Sequence, residues 1–143
     1  MKIKPEGREN YRHFLDIPTR WHDNDVYHHV NNVVYYSFFD TVVNKYLITS
    51  GVLRIKDSKL IGLVIETKCN FFSPVEFPDM VTAGLRVGHL GNSSVIYEVG
   101  LFVGDNKLAS AQGHFVHVYV DRQTRKPKPM GIKMRHVLEK IAK

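Results

Sequence analysis

The sequence predicts an α+β domain in which one antiparallel sheet is wrapped around a single long helix. Three observations carry this expectation. One segment is apolar around most of a helical circumference; the segments after it alternate polar and apolar residues with a period of two; and turn residues stand at each break between them. The chain has 143 residues, 43% hydrophobic and 24% charged, which suits one domain spanning 1–143 and argues against disorder or a disulfide scaffold.

The elements follow in chain order. Phe14 to Trp21 reads as an extended first strand. Between Asn31 and Ser50 the apolar residues Val33, Val34, Tyr35, Tyr36, Phe38, Phe39, Val42, Val43, Tyr46 and Leu47 leave only a narrow polar stripe of Ser37, Asp40, Thr41, Asn44 and Lys45. Gly51 follows as a stop. In 61–71 the odd positions Ile61, Leu63, Ile65, Thr67, Cys69 and Phe71 oppose Glu66, Lys68 and Asn70. The same period runs through Val81, Ala83, Leu85 and Val87, and through Val95, Tyr97, Val99, Leu101 and Val103. Lys107 to Val120 reads as a central strand, with Ala109, Ala111 and Gly113 small enough to let a helix or second sheet approach. Met134, Val137, Leu138 and Ile141 mark a short C-terminal helix. A sheet wrapped around one helix leaves its other face and its edges to be covered, for which dimerisation is the simplest solution.

The formal net charge is +6, which raises nucleic acid or an anionic membrane as partners. Residues 1–120 are balanced, with 12 basic and 12 acidic side chains, and the excess lies in 121–143, where eight cations face Asp121 and Glu139. That basic segment has no Phe, Trp or Tyr to stack on a base, which argues against nucleic acid as a partner. No run approaches a membrane span. The start lacks the uninterrupted apolar core of a secretory signal and Cys69 is the only thiol, so a reducing cytoplasm is the expected compartment.

The chemistry concentrates in Trp21-His22-Asp23-Asn24-Asp25-Val26-Tyr27-His28-His29-Val30-Asn31-Asn32. Asn31 and Asn32 stand where an N-cap belongs, so unpaired backbone N–H groups point into this region and can hold a developing negative charge. Asp25 lies a few residues earlier. A base or nucleophile beside an oxyanion hole is the minimal kit for acyl transfer. Asp, Asn and His are also ordinary turn and cap residues. A metal site is disfavoured: His28 and His29 are adjacent, no i, i+4 His pair exists, and a calcium loop from Asp23 would meet His28 and Val34 where Gly and Glu belong. There is no G-x-S-x-G elbow, P-loop or G-x-G-x-x-G. Cys69, on the face of Leu63 and Ile65, reads as a core residue.

Arg20-Trp21-His22-Asp23-Asn24-Asp25, followed by His29-Val30-Asn31-Asn32 and Tyr35, closely resembles the signature of hot-dog fold acyl-CoA thioesterases of the 4-hydroxybenzoyl-CoA thioesterase type. Helix 33–47, the segment Asn70 to Val75 and Asp79 fit the same pattern. The resemblance implies a five- or six-stranded antiparallel sheet curled around a long helix, assembled as a homodimer or homotetramer. It implies hydrolysis of a fatty or aromatic acyl-CoA, with no metal and no cofactor other than the coenzyme A of the substrate. Asp25 matches the residue that attacks the thioester or activates water, and Asn32 the position whose backbone N–H binds the thioester oxygen. His29 and Asn31 match positions that shape and cap the loop. Tyr35, Phe38 and Phe39 are expected along the acyl chain. Arg86 and the turn with His89, Gly91, Asn92 and Ser93 are expected at the coenzyme A phosphates. Enoyl-thioester hydration on the same scaffold and a non-enzymatic binding module are the alternatives. His28 stands where the family commonly has Gly; if that position takes a positive φ, His occupies it at a cost of about 1 kcal/mol or somewhat more.

Overall fold

The computed structural model describes residues 2–143. Five antiparallel strands form one sheet: β1 (His13–Pro18), β2 (Leu60–Phe71), β3 (Met80–Leu90), β4 (Ser94–Val103) and β5 (Ala111–Asp121), ordered β1-β3-β4-β5-β2. The expected central strand is thus interior, although it begins at Ala111, because the residues before it run as a loop. Register decides which ends of the strands meet. Phe71 pairs with Ala111 and Pro18 with Met80 at one end, whereas Leu60 pairs with Asp121 and Leu90 with Val95 at the other.

β2 is the edge strand beside β5, and it departs from clean alternation. Its ladder is irregular between Val64 and Glu66, and Ile65 is 64% exposed, although the period of two assigns it to a buried face. At this sheet edge Val64, Ile65 and Phe71 keep apolar surface in solvent.

The long helix α1 (Asn32–Thr49) buries Tyr35, Phe38, Phe39, Val42, Val43, Tyr46 and Leu47, the three- and four-residue spacing of a single helical face. The sheet covers this face only; Val33 and Ile48 on other faces stay exposed. Close approach depends on Gly113 of β5, where a Cβ would stand 2.9 Å from the Phe39 ring and collide with the Lys68 carbonyl. Gly51 follows the helix with φ of 79°, a left-handed conformation that costs glycine little.

The opposite sheet face is closed by the chain's own N-terminal arm. Tyr11 lies over Gly84 and Gly100, which face each other in the β3–β4 ladder; a Cβ on Gly100 would come within 2.6 Å of the Tyr11 ring. Ala109 joins Tyr11 and Phe102 in this second cluster and is not on a strand under the helix, as the run of small residues suggests. The C-terminal helix α2 (Ile132–Glu139) buries Met134, Val137 and Leu138, and the Tyr46 hydroxyl donates to the Val137 carbonyl at 2.6 Å. The basic segment is therefore docked: Arg135 donates to the Gly91 carbonyl and Arg122 to the carbonyls of Ile55 and Lys56.

Candidate active site

The loop from Asn24 to Val30 is a small closed hairpin. Asn24 and Val30 form an isolated antiparallel bridge, the Asp25 N–H donates to the His29 carbonyl at 2.8 Å, and the His28 N–H donates to the Asp25 carbonyl at 3.1 Å. The turn requires a left-handed residue, and His28, which stands where the resembled family commonly has Gly, supplies it with φ of 66°. Its base is fixed by Asp23, 1% exposed, whose carboxylate accepts from the Arg20 backbone N–H and guanidinium. The Val30 N–H donates to the Val75 carbonyl and the Asn31 N–H to the Asp23 carbonyl, which joins the loop to the segment leading into β3.

Helix capping then determines what is left over. The Asn31 side chain accepts from the Val33 N–H at 3.0 Å, and the Val34 N–H donates to the Asn31 carbonyl at 2.8 Å. Among the described residues the Asn32 N–H has no acceptor. Asn31 is thus a cap, and the first backbone donor of α1 stays available at the positive end of the helix dipole.

Asp25, His29, Asn32 and Tyr35 line one open cleft of about 580 Å³. Asp25 holds the Tyr27 N–H on Oδ1 at 2.8 Å, and Oδ2 has no partner among the described residues. The rest of the wall comes from the end of β2 and the segment after it: Phe71, Phe72, Ser73 and Pro74. These wall residues were not assigned to a site from the sequence, although Asn70 to Val75 belonged to the matched pattern. Tyr35 and Phe71 meet edge to face with ring centroids 4.9 Å apart, and burial raises the Tyr35 hydroxyl pKa.

Other expected site residues lie elsewhere. Phe38 and Phe39 are 4% and 0% exposed and sit in the core beneath α1, so they do not reach the cleft. Arg86 is buried on the opposite sheet face. Its Nε donates to Glu98 at 2.6 Å, its terminal nitrogens donate to Glu6 and the Asn10 carbonyl, and its guanidinium lies 4.7 Å from the Tyr11 ring centroid. With its donors engaged, it is not presented to a phosphate. His89, Gly91, Asn92 and Ser93 stand where β3 turns into β4, the sheet end opposite the Asp25 loop within one chain. The carbonyls of Gly91, Asn92 and Ser93 are taken by Arg135, Met130 and Tyr119. Cys69 is half-buried, and burial pushes its thiol up to about 12, in keeping with an inert packing residue. Among the described residues no three His, Cys, Asp or Glu side chains converge as metal ligands, and no helix is long and apolar enough to cross a membrane.

An antiparallel sheet curled against one long helix, with a loop carboxylate beside the helix N-terminus, is the hot-dog arrangement. Residues 27–110 match the model of the thioesterase superfamily, and the chain belongs to that family; it is a thioester hydrolase. No curated protein matches the sequence. Among solved structures, the PA5185 protein of Pseudomonas aeruginosa strain PAO1 is 50% identical with a TM-score of 0.95, over 97% of each chain. The PA2801 protein of Pseudomonas aeruginosa is 27% identical with a TM-score of 0.82, over 88% of this chain and 97% of that one. A 1,4-dihydroxy-2-naphthoyl-CoA thioesterase from Synechocystis shares the fold at 12% identity, with a TM-score of 0.79 over 87% and 93% of the two chains.

Proposed function

We propose that the protein hydrolyses fatty or aromatic acyl-CoA thioesters in the cleft between the Asp25 loop and the end of β2. The observation that carries this reading is the pairing, in one cleft, of an Asp25 carboxylate oxygen and an Asn32 N–H that both lack a partner among the described residues. A thioester is an activated carbonyl, so it needs an aimed nucleophile and charge stabilisation more than a strong acid. With the carbonyl oxygen on the Asn32 N–H, Asp25 either attacks the carbonyl carbon or takes a proton from the water that does. The tetrahedral intermediate collapses with loss of the C–S bond, and the thiolate leaves as coenzyme A. In the first route water then hydrolyses the acyl-aspartyl anhydride. His29 shapes the loop through its carbonyl, which holds the Asp25 N–H. No metal or added cofactor enters either route.

Tyr35, Phe71 and Phe72 offer the apolar wall that an acyl group needs. The same cleft suggests a homodimer as the working unit. Its β2 wall is an unpaired sheet edge with exposed Val64, Ile65 and Phe71, which a second copy would cover. Purified protein incubated with acyl-CoAs of varied chain length and ring substitution, with free thiol measured, tests the reading. Thiol release from at least one of them is expected. Failure to release thiol from any, or addition of water to a crotonyl substrate without thiol release, overturns it.

A further inference from the structure

At the far end of the same sheet a second pocket of about 170 Å³ lies between the C-terminal half of α1, the start of β2 and the end of β5. Its walls are Leu47, Leu53, Ile61 and the Tyr119 ring, and three polar side chains reach it: His117, Arg122 and Asn44, whose amide N–H groups are taken by the Asp40 carbonyl and carboxylate at 2.9 Å. His117 is 4% exposed, yet among the described residues neither ring nitrogen has a hydrogen-bond partner. The rings of Tyr97, Phe115 and Tyr119 surround it with centroids 5.1, 5.0 and 6.1 Å away, and the two tyrosine hydroxyls that could have served it are hydrogen-bonded to each other at 2.6 Å. Arg122 donates both terminal nitrogens to the carbonyls of Ile55 and Lys56, and its buried Nε–H has no acceptor among the described residues. Buried polar groups are nearly always paired, so three unpaired atoms of two residues on one pocket point to something that belongs there. The sequence also makes room for it: a Cβ on Gly62 would stand 2.8 Å from His117 Nδ1 and 3.0 Å from the Tyr119 ring.

We propose that this pocket is a second ligand site, separate from the Asp25 cleft, and that it takes a small aromatic carboxylic acid. The volume is that of an apolar cavity able to hold one benzene-sized ring. The apolar walls suit the ring. The charged Arg122 Nε–H and one His117 N–H suit an acceptor that is anionic, which a carboxylate is and a phenol or an amine is not. Gly62 and Phe71 are nine residue steps apart along β2, about 30 Å of strand, so within one chain the pocket is independent of the cleft. The proposal does not rest on the hydrolytic reading.

Titration of the whole protein with benzoate, followed by calorimetry and by the ring ¹⁵N resonances of labelled histidine, tests it. Benzoate is expected to shift the His117 resonances saturably, phenol to bind about tenfold or more weakly, the loss of one charge-assisted hydrogen bond, and benzylamine not to bind. His117→Phe and Arg122→Met should each weaken benzoate by about tenfold or more, and Leu53→Trp, which fills the pocket from an apolar wall, should abolish its binding. Asp25→Asn should leave it unchanged. Absence of a His117 response, equal responses to benzoate and phenol, loss of binding in Asp25→Asn, or retention of binding in Leu53→Trp would each overturn the proposal. The first of these outcomes would mean that the pocket holds only water.

Discussion

Asp25 Oδ1 accepts the backbone N–H of Tyr27 at 2.8 Å, so the loop itself orients this carboxylate at the cleft wall and leaves Oδ2 without a partner among the described residues. Asparagine keeps an oxygen able to accept from Tyr27 but has neither the charge to attack a thioester nor the basicity to take a proton from water. Asp25→Asn is therefore expected to leave folding and stability close to the original, and to lower kcat by about 10²–10⁴. Turnover with the best acyl-CoA of a panel, read beside the circular dichroism spectrum, checks this. Hydrolysis at the original rate in a folded Asp25→Asn protein would remove Asp25 from the reaction.

His28 holds φ of 66° at the turn that brings the His29 carbonyl onto the Asp25 N–H. A β-branched residue is the poorest fit to that conformation and glycine the best. His28→Val should lose about 1–2 kcal/mol, whereas His28→Gly should match or exceed the original by up to about 1 kcal/mol. Urea midpoints of the two variants give the comparison. Since the turn positions Asp25, kcat should fall in the valine variant and hold in the glycine one; equal stability of valine and glycine would show that the turn does not depend on the left-handed residue.

How the sequence disclosed these features depended on whether the signal was local. The Asn31 cap and the apolar face of α1 are set by residues within a few positions of one another, and local pattern reveals them; the left-handed position at 28 is indicated only by the resemblance, through the Gly usual at that place. Strand periodicity showed which residues share a face, but not which strand ends meet. The turn at 91–93, which the resemblance assigns to the coenzyme A phosphates, stands by the register at the sheet end opposite the Asp25 loop within one chain. Arg86 lies between Leu85 and Val87, which are buried under the helix, so alternation already directs it to the other face; what waits there is the N-terminal arm, which has no periodicity to announce it. His117 follows the same rule, falling between Phe115 and Tyr119 on the buried side of β5. A histidine amid alternating core residues was the available sign of the second pocket.

Arg86 allows a direct separation of structure from substrate binding. It is 4% exposed and holds Glu6 and Glu98, so Arg86→Met leaves two partly buried carboxylates without their shared cation. Removing one partner of a buried ion pair commonly costs about 3–5 kcal/mol; Glu6 and Glu98 keep some contact with solvent, so about 2–3 kcal/mol is expected here. Folded Arg86→Met protein should hydrolyse acyl-CoA with an unchanged KM. A KM raised about tenfold or more, the signature of a lost charge-assisted contact, would instead return Arg86 to the coenzyme A phosphates.

Burial among aromatic rings lowers the His117 pKa from its ordinary value to about 4. The unfolded chain takes up a proton near pH 6.5, whereas the folded chain resists it until about pH 4, so between these values the unfolded state binds more protons and stability rises with pH. The neutral ring's contribution is thus complete above the unfolded pKa and is lost as pH falls through the window. From pH 7 to pH 5 this single group should remove about 2 kcal/mol. Phenylalanine at position 117 has no proton to take up and keeps the ring, so His117→Phe should lose about 2 kcal/mol less than the original over the same interval. Denaturant unfolding of both proteins at the two pH values measures the difference. Parallel losses in the two would place the acid sensitivity in groups other than His117.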